Sequence, residues 1–507
     1  MPDYVLVADC GSTNITVTAV DEAGNLAASA SRPNGPVPQE GGEGWLAWDV
    51  ERLWGAVRDC CGRVVEQVGA DAVKAVAVAT WGADGTAVAA DGTVTYPPIA
   101  WECQRTEATA RRLGERIGAR RLFSITGYPV IRFNTLFVIG WLRENAPEAL
   151  DGAEKWLLMP GLLTLRLTGR MTMDVTSAST MMLLDLEKGT WSKELLDAVG
   201  ADESFFPEIA YPGDVLGEVT AEAAAQTGLR EGTPVVAAGH DTQFAPIGSG
   251  ATPQEAVLST GTWEIAMLRT PEPATGDFAF GHGVLTEVDA VRGLYDPQFL
   301  MMGSGCLEWL RERFYGGIED RAAAYATMIG EARGVKPGAG GVMMAPSFVP
   351  AAGPASRYNT GGTILGLQVS TTRAHVYRAA LEGLSFQLRE ALRILGQATG
   401  RRPERLRVVG GGSRNELWNR IRADVCRIPV VVTERKEATV VGAAIAGWVG
   451  AGRFDSIEQG ERELPTESHV VEPGPDAERY EEMFERYRLI APSLKDFYSP
   501  NVPGGLG

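Results

Sequence analysis

The segment YVLVADCGSTNITVTAVDEAGNLAASAS, residues 4–31, sets two turn sequences between three runs of β-prone residues. The first run leads into DCGSTN (9–14) and the second into DEAGN (21–25). Clusters of Gly, Ser, Asp and Asn between short β-prone runs are typical of tight turns between strands. The segment therefore predicts three consecutive strands, with a Gly/Ser/Thr turn directly after the first.

The same pattern occurs a second time, in the middle of the chain. AVLSTGTWEIAMLRT (256–270) again reads as a strand, a turn of small residues (STGT, 259–262) and a strand. A repeated supersecondary unit indicates an internal duplication. We therefore expect two similar domains that each begin with a strand hairpin, joined by the connection GHDTQFAPIGSGATPQ (239–254).

Helical and further β patterns alternate with these strands, which predicts an α/β fold. Apolar residues recur at helical spacing over 50–69, over the long segment 372–400 and near the C-terminus, where an amphipathic helix should pack back on a domain. Residues 73–95 predict a buried strand followed by a hairpin-like return. Residues 405–425 predict a strand, the turn GGGS (410–413) and a helix from about Glu416, whose N-terminal amides face that turn.

Length and composition limit the classes of protein. A chain of 507 residues, 45% of them hydrophobic, predicts two to three domains. The net charge of −17 argues against a general binder of nucleic acid or of an anionic membrane. Six cysteines without framework spacing, four scattered histidines, no signal peptide and no long apolar run predict a cytoplasmic protein with reduced thiols.

Several common nucleotide and hydrolase motifs are missing from the sequence. There is no Gly-Lys dipeptide for a P-loop, no GxGxxG after the first strand and no GxSxG elbow. Three Gly/Ser/Thr turns at strand ends remain: DCGSTN, STGT and GGGS. Any one of them is typical of an ordinary turn. Together, and beside aspartates, they favour phosphate binding by backbone amides with Mg²⁺ nearby.

Eight stretches in order give the chain a family resemblance: LVADCGSTN, AVATWGADG, AWECQRT, FNTLFVIGWLRENAP, AGHDTQFAPIGSGA, VLSTGTWEI, YRAALEGL and VVGGGSRNELWNRI. Over roughly residues 4–450 the chain resembles the FGGY carbohydrate kinases of the actin–hexokinase superfamily, most closely their L-fuculose branch. The resemblance implies two ribonuclease H-like α/β domains around a central cleft. Residues 1–245 would form the sugar-binding domain, 246–455 the nucleotide-binding domain and 456–507 a helical extension packed on both.

The resemblance also implies where ATP and Mg²⁺ bind. The first turn and the second turn would hold the phosphates from opposite sides, and the triple-Gly turn would line the adenosine. Asp9 and Asp241 are the residues implied for Mg²⁺. The residues implied for the nucleotide are Asp9, Gly11, Ser12, Thr13, Thr260, Gly261, Thr262, Gly411, Gly412, Ser413 and Asn415. One departure is Thr16, where many family members carry Arg or Lys.

For the sugar, the resemblance implies that Asp241 is the general base. The implied sugar contacts are Trp81, Asp84, Arg105, Asn134, His240 and Gln243. Other interpretations of these residues stay open: core packing for Trp81 and a surface ion pair for Arg105. Glu382, in the long helix, is expected to be structural.

The implied reaction is ATP-dependent phosphorylation of the primary hydroxyl of a ketose, with L-fuculose converted to L-fuculose 1-phosphate. L-Rhamnulose, L-ribulose and D-xylulose are alternative substrates, and a nucleotide-gated binding protein on the same superfold is an alternative of another class. The expected partners are the sugar and ATP, with no nucleic acid and no membrane, and a homodimer is left open. We also expect the domains to close on the sugar about a hinge near residues 245–255.

Overall fold

The protein is described here by a computed structural model, which covers residues 2–349, 352–435 and 437–498. Its first half is built on a six-stranded sheet with the order β5-β6-β4-β1-β2-β3. The bounds of these strands are β1 Tyr4–Cys10, β2 Asn14–Asp21, β3 Leu26–Pro33, β4 Val73–Thr80, β5 Val215–Glu218 and β6 Pro234–His240. β1 to β3 form the antiparallel meander predicted from the sequence, whereas β4 runs parallel to both β1 and β6.

The second half is built on a seven-stranded sheet with the order β9-β10-β8-β7-β11-β12-β13. Its strands are β7 Glu255–Thr260, β8 Trp263–Met267, β9 Leu285–Val288, β10 Tyr295–Met302, β11 Arg405–Val409, β12 Val430–Thr433 and β13 Ser468–Val471. β10, β8 and β7 are antiparallel neighbours, and β7, β11 and β12 are parallel. This is the arrangement of β3, β2, β1, β4 and β6 in the first sheet, which confirms the predicted duplication.

Within the part of the chain that the structure describes, five two-stranded sheets lie outside the main sheets, and one of them corrects the sequence interpretation. Gly85–Val88 was expected to return as a hairpin beside β4, but it pairs with Lys155–Leu158 instead. The turn after β4 thus leads the chain out of the first sheet. The other pairs are Val37–Pro38 with Leu46–Ala47, Met173–Asp174 with Ile209–Ala210, Leu184–Asp185 with Thr190–Trp191, and Met343–Ala345 with Thr363–Leu365.

Eighteen α-helices connect these strands within the described ranges. In the first half they are α1 Val50–Val68, α2 Glu107–Ile117, α3 Ala119–Thr126, α4 Thr135–Asn145, α5 Glu148–Asp151, α6 Met159–Thr168, α7 Val175–Ser179, α8 Lys193–Val199, α9 Ala221–Thr227 and α10 Phe244–Ser249. In the second half they are α11 Asp277–His282, α12 Ser304–Phe314, α13 Arg321–Arg333, α14 Arg373–Thr399, α15 Glu416–Cys426, α16 Ala438–Gly450, α17 Ile457–Glu463 and α18 Ala477–Leu494. The helices predicted over 50–69, over 372–400 and at the C-terminus are therefore present.

The two faces of the first sheet pack against different parts of the chain. Because side chains alternate along a strand, Leu6 and Ala8 face a core shared with α1, whereas Val5 and Val7 face the opposite side. That opposite side is covered by α16, which lies more than 400 residues later in the sequence than β1. The predicted boundaries at 245 and 455 divide the chain by position in the sequence. α16 lies between these two boundaries, but it packs on the sheet of the first half.

α16 and α10 cross at backbone contact distance, and glycines make this possible. A Cβ on Gly248 would lie 1.8 Å from the carbonyl oxygen of Ala438, and a Cβ on Gly442 would lie 2.1 Å from that of Phe244. Residues 239–254, predicted as a connection, thus contain the end of β6 and a buried helix. The Gly-rich sequence serves close packing between helices.

The C-terminal helix α18 packs on α14 through Tyr480 and Phe484, as its amphipathic pattern predicted. Buried Glu382 of α14 accepts hydrogen bonds from Arg378 (2.8 Å) and Tyr480 (2.8 Å). This network supports the structural role expected for Glu382. The extension predicted for 456–507 is described as far as residue 498, and residues 499–507 lie outside the described ranges.

A separate observation concerns membranes. Among the helices of the described ranges, none combines the length and apolar character that a membrane span requires.

Candidate active site

The carboxyl ends of three parallel strands meet at one edge of the first sheet. β1, β4 and β6 are in register there, with Ala79 of β4 opposite both Asp9 of β1 and Gly239 of β6. Residues that follow these strand ends share the edge, because parallel strands end on the same side of a sheet. The structure thereby brings together Asp9, the turn after β1, the segment 81–84 and the segment 240–243.

Asp9 and Asp241 are partly buried carboxylates that lie close enough for their charges to interact. Burial, followed by the negative charges of Asp241 and Glu437, raises the pKa of Asp9 to about 7. Burial also raises the pKa of Asp241, against the opposing positive charge of His240. Two carboxylates that disfavour each other's ionisation suit a bound cation, which would relieve the repulsion.

No group of three or more His, Cys, Asp or Glu side chains in the described ranges is arranged to hold a metal ion alone. Mg²⁺ is commonly held by one or two carboxylates, with water and substrate phosphates as its other ligands. The pair Asp9 and Asp241 therefore fits Mg²⁺ bound together with a nucleotide.

Gly239 explains why small residues precede His240 and Asp241. Its φ is +121°, and a Cβ there would lie 1.9 Å from the carboxylate of Asp174. The backbone of His240 also donates to the hydroxyl of Thr176 (2.9 Å), which itself donates to Asp174 (2.6 Å). Helix α7 thus fixes the backbone from which the Asp241 side chain projects.

Asp84 is held by three tryptophans, two through their indole N–H and one through its backbone. Its Oδ2 accepts from Nε1 of Trp48 (2.6 Å), from Nε1 of Trp81 (3.0 Å) and from the backbone of Trp101 (3.2 Å). Burial raises the pKa of Asp84 to about 7, although these three hydrogen bonds oppose the rise. Its Oδ1 is buried with no hydrogen-bond partner among the described residues. Trp81 therefore has a packing and orienting role, and Asp84 keeps one oxygen for a ligand.

Asn134 and Gln243 share this feature with Asp84. Both side chains are buried, and each has its amide nitrogen bonded within the protein: Asn134 to the carbonyl of Thr180, and Gln243 to Glu287. The carbonyl oxygens of both amides, Oδ1 and Oε1, have no protein partner in the described part of the chain. These buried oxygens are suited to accept hydrogen bonds from the hydroxyls of a polyhydroxylated ligand.

His240 lies between two acidic residues. Its Nδ1 is 3.0 Å from Oε2 of Glu287, and its Nε2 is 3.6 Å from Oδ1 of Asp241. Burial alone would lower the pKa of His240, but Glu287, with smaller contributions from Asp241 and Asp174, raises it to about 9. His240 is therefore an imidazolium at neutral pH and carries a positive charge beside Asp241.

Arg105 differs from the other predicted sugar contacts, because its guanidinium is occupied by protein groups. It stacks on Trp45, 4.2 Å from the ring centre, and donates to the carbonyl of Leu46 (3.0 Å) and the hydroxyl of Tyr96 (3.3 Å). Within the described ranges no carboxylate pairs with Arg105, so the surface ion pair considered from the sequence is not seen there. The guanidinium packs on Trp45, and a sugar contact from Arg105 stays a prediction.

At the corresponding edge of the second sheet, β7 and β11 end side by side. A Cβ on Gly410 would lie 2.5 Å from the carbonyl oxygen of Thr260, and one on Gly412 would lie 2.2 Å from its hydroxyl. The triple-Gly turn is therefore required for close packing of the two strand ends. Gly261, Thr262, Gly411 and Gly412 remain accessible beside each other, as phosphate or adenosine contacts require.

Two residues predicted to contact the nucleotide have side chains that are used internally. The buried hydroxyl of Thr260 donates to Glu264 (2.9 Å), which also pairs with buried Arg422. Asn415 is the N-cap of α15: its oxygen accepts from the backbone of Trp418 (3.1 Å). The side chains of Thr260 and Asn415 thus support the turns, and the nucleotide contacts implied for these two residues stay predictions. Ser413, in contrast, is partly exposed.

The first turn has the accessibility expected of a phosphate site. Gly11 donates to the carbonyl of Asn14 (2.8 Å), which closes the turn, while Ser12 and Thr13 are partly or fully exposed. Thr16 shares a hydrogen bond with Ser31 (3.1 Å) on the neighbouring strand. Thr16 thus takes part in the sheet, where its hydroxyl is engaged with Ser31.

Tyr128, Glu287 and Glu437 are site residues that the sequence interpretation missed. They lie outside the Gly-rich motifs, and Glu287 belongs to the second half of the chain. Glu287 is held in place by the pairing of β9 with β10, and no sequence motif indicates its position.

Both halves of the chain match models of one known protein family. The N-terminal domain of the FGGY family of carbohydrate kinases matches residues 4–248, and the C-terminal domain of that family matches 256–451. L-Fuculokinase of Escherichia coli K12 is 38% identical over 481 residues, 95% of this chain and 99% of that protein. Rhamnulokinase of Bacteroides thetaiotaomicron is 30% identical over 433 residues, 84% of this chain and 86% of that protein.

The fold agrees as well. A crystal structure of xylulose kinase from Rhodospirillum rubrum superimposes with a TM-score of 0.85 at 24% identity, covering 97% of this chain and 99% of that one. That likeness confirms the expected α/β fold of two domains. Both halves of the chain match the domain models of the family in order. The protein therefore belongs to the FGGY family of carbohydrate kinases.

Proposed function

We propose that this carbohydrate kinase transfers the γ-phosphoryl group of ATP to the primary hydroxyl of L-fuculose, giving L-fuculose 1-phosphate. The observation that carries this proposal is the meeting of Asp241 with three partnerless buried oxygens, those of Asp84, Asn134 and Gln243. Together they offer a base and a set of acceptors for a polyhydroxylated ligand. The 38% identity to an L-fuculokinase over almost the whole chain supports the choice of sugar.

Asp241 is proposed as the general base. Burial raises its pKa, and the positive charge of His240 opposes that rise and favours the carboxylate form. A carboxylate is much less basic than an alkoxide and cannot remove the hydroxyl proton beforehand. The proton therefore passes to Asp241 late, as the sugar oxygen bonds to phosphorus, and positioning supplies much of the rate.

The nucleotide is proposed to lie between the two strand edges. Backbone amides of the turns at 11–13 and 261–262 would hold the phosphates, and Gly411 to Ser413 would line the adenosine. Asp9 and Asp241 would hold Mg²⁺ with water and phosphate oxygens as further ligands. When bound, the cation neutralises charge on the transferring phosphoryl group.

Residues 1–245 are proposed as the sugar domain and 246–455 as the nucleotide domain, with closure between them excluding water. Small-angle scattering checks this: the radius of gyration should fall when sugar and a nucleotide analogue are added together. An unchanged radius would contradict closure.

A panel of ketoses tests the substrate. Purified enzyme with Mg-ATP should release ADP with a higher kcat/KM for L-fuculose than for L-rhamnulose, L-ribulose or D-xylulose, and phosphorus NMR should place the phosphate on C1. A pocket discriminates one methyl group by only about 1–3 kcal/mol, so the relative rates matter more than a single positive result. ADP release with another ketose and none with L-fuculose would refute the choice of sugar while leaving the kinase intact.

A further inference from the structure

Glu287 brings a carboxylate from the second sheet into the sugar site of the first. It lies on β9 and is 4% exposed. Its Oε1 accepts from the hydroxyl of Tyr128, and its Oε2 accepts from Nδ1 of His240 (3.0 Å) and from Nε2 of Gln243. All three donors belong to the first half of the chain, so this one carboxylate joins the two halves at the site.

The backbone next to Glu287 is fixed to the first half as well. Thr286 donates its backbone N–H to the carbonyl of Gly127 (2.9 Å), at the end of α3. Gly127 has a φ of +71°, and a Cβ there would lie 2.7 Å from the carbonyl oxygen of Thr286. The side chain of Glu287 therefore reaches its partners from an anchored strand, which limits the positions that its oxygens can take.

An ionised carboxylate only accepts hydrogen bonds, and this constrains the groups around it. Gln243 must turn its NH₂ toward Glu287, so its Oε1 faces away as an acceptor, and that oxygen is the buried one without a protein partner. His240 must turn Nδ1–H toward Glu287, which directs Nε2 toward Gly82 and Asp241. Glu287 thus determines which polar atom each side chain leaves for a ligand.

We propose that Glu287 is a positioning residue for the sugar, which fixes the amide orientation of Gln243 and the ring orientation of His240. The proposal rests on the proposed function only in assigning these two side chains to the sugar. Glu287 itself has no place in proton transfer, because its oxygens are taken by Tyr128, His240 and Gln243.

Glu287→Gln removes the requirement that Gln243 and His240 donate hydrogen bonds to residue 287, and it changes the side-chain volume little. A glutamine can donate as well as accept, so Gln243 becomes free to turn over and present NH₂ to the sugar. We expect the KM for the sugar to rise at least about tenfold, because a site built to pair a hydroxyl loses affinity when its polarity is wrong. The KM for ATP should stay within about twofold, because the nucleotide turns do not contact Glu287.

The control is Glu255→Gln, which changes another buried carboxylate of the same sheet. Glu255 pairs with Arg407 (2.8 Å) and has no contact with Tyr128, His240 or Gln243. Its glutamine variant should keep both KM values. Thermal unfolding of the two variants separates loss of a buried ion pair from loss of sugar positioning.

Deoxyfluoro analogues give a readout that a purely structural role would not change. Fluorine cannot donate a hydrogen bond, so the wild type should lose most kcat/KM with the analogue fluorinated at the hydroxyl that Gln243 accepts. In Glu287→Gln that loss should shrink to about threefold or less, since the freed amide can donate. The analogues are built on whichever ketose the wild type prefers, so a wrong choice of L-fuculose leaves this test intact.

The proposal is overturned if Glu287→Gln keeps the wild-type sugar KM, or if it keeps the wild-type ranking of the fluorinated analogues. Should that variant not fold, Glu287→Asp retains the charge and withdraws it by one methylene. It should also raise the sugar KM without changing the KM for ATP, and an unchanged sugar KM in Glu287→Asp would equally overturn the proposal.

Discussion

Asp84 gives a prediction in which stability and activity move in opposite directions. Its Oδ2 accepts three hydrogen bonds, its Oδ1 has no protein partner in the described ranges, and the side chain is 2% exposed. Asp84→Asn keeps the shape and an oxygen for the three donors, but it places NH₂ where the ligand would meet an acceptor. The variant also removes a buried group that titrates.

The expected stability change follows from the pKa of Asp84. Burial raises this pKa to about 7, so the folded protein holds a proton that the unfolded chain has already lost. The stability that Asp84 contributes is therefore present in acid and is lost as the pH rises to about 7. One pH unit corresponds to about 1.4 kcal/mol, so about 2 kcal/mol is lost between roughly pH 5.5 and 8. The asparagine variant does not titrate and should not show this loss.

Urea unfolding of both proteins at about pH 5.5 and 8 measures the effect. The free energy of unfolding of Asp84→Asn, relative to wild type, should increase by about 2 kcal/mol between these pH values. At the same time kcat/KM for the sugar should fall about 10- to 100-fold, because a substrate hydroxyl loses its acceptor. A stability difference that is the same at both pH values would refute the argument from burial. Wild-type sugar kinetics would refute the role of Oδ1.

Three further changes test other parts of the site. Asp241→Asn should lower kcat by about 10²–10⁴ while calorimetry still detects sugar and nucleotide binding, and substantial remaining activity would exclude Asp241 as the base. Gly442→Val places a side chain against the carbonyl of Phe244 and should abolish soluble expression, whereas Gly276→Ala, at an open position, should be tolerated. Burial and neighbouring acids raise the pKa of Asp9 to about 7, so this carboxylate should ionise only above that pH. The KM for Mg-ATP should therefore rise about tenfold for each pH unit below 7. A KM for Mg-ATP that stays constant from about pH 6 to 8 would contradict this.

Local sequence patterns were sufficient to predict much of the architecture. The turns after β1 and β7 interrupt short β-prone runs, and each lies in a set of five strands that has the same arrangement in both sheets. The helical spacing over 50–69 likewise identified α1. These features depend on residues close together in the chain, where periodicity and turn chemistry carry the information.

Features that depend on distant pairing could not be read from the sequence. Glu287 lies 159 positions after its partner Tyr128, and neither residue belongs to a turn motif. Gly85–Val88 leaves the first sheet because a partner strand is available at 155–158, which local periodicity does not reveal. Asn415 shows the opposite problem, since its motif is recognisable but its side chain is used as a helix cap.

The helix α16 has a consequence for how this protein is made in the cell. The apolar face of β1, β4 and β6 is complete once about 240 residues have been synthesised, but its covering helix ends at residue 450. During translation that sheet face must stay exposed while some 200 further residues emerge, which makes the nascent chain a substrate for chaperones and prone to aggregation. For the same reason, a fragment ending at residue 245 would lack the cover that α16 gives to its sheet.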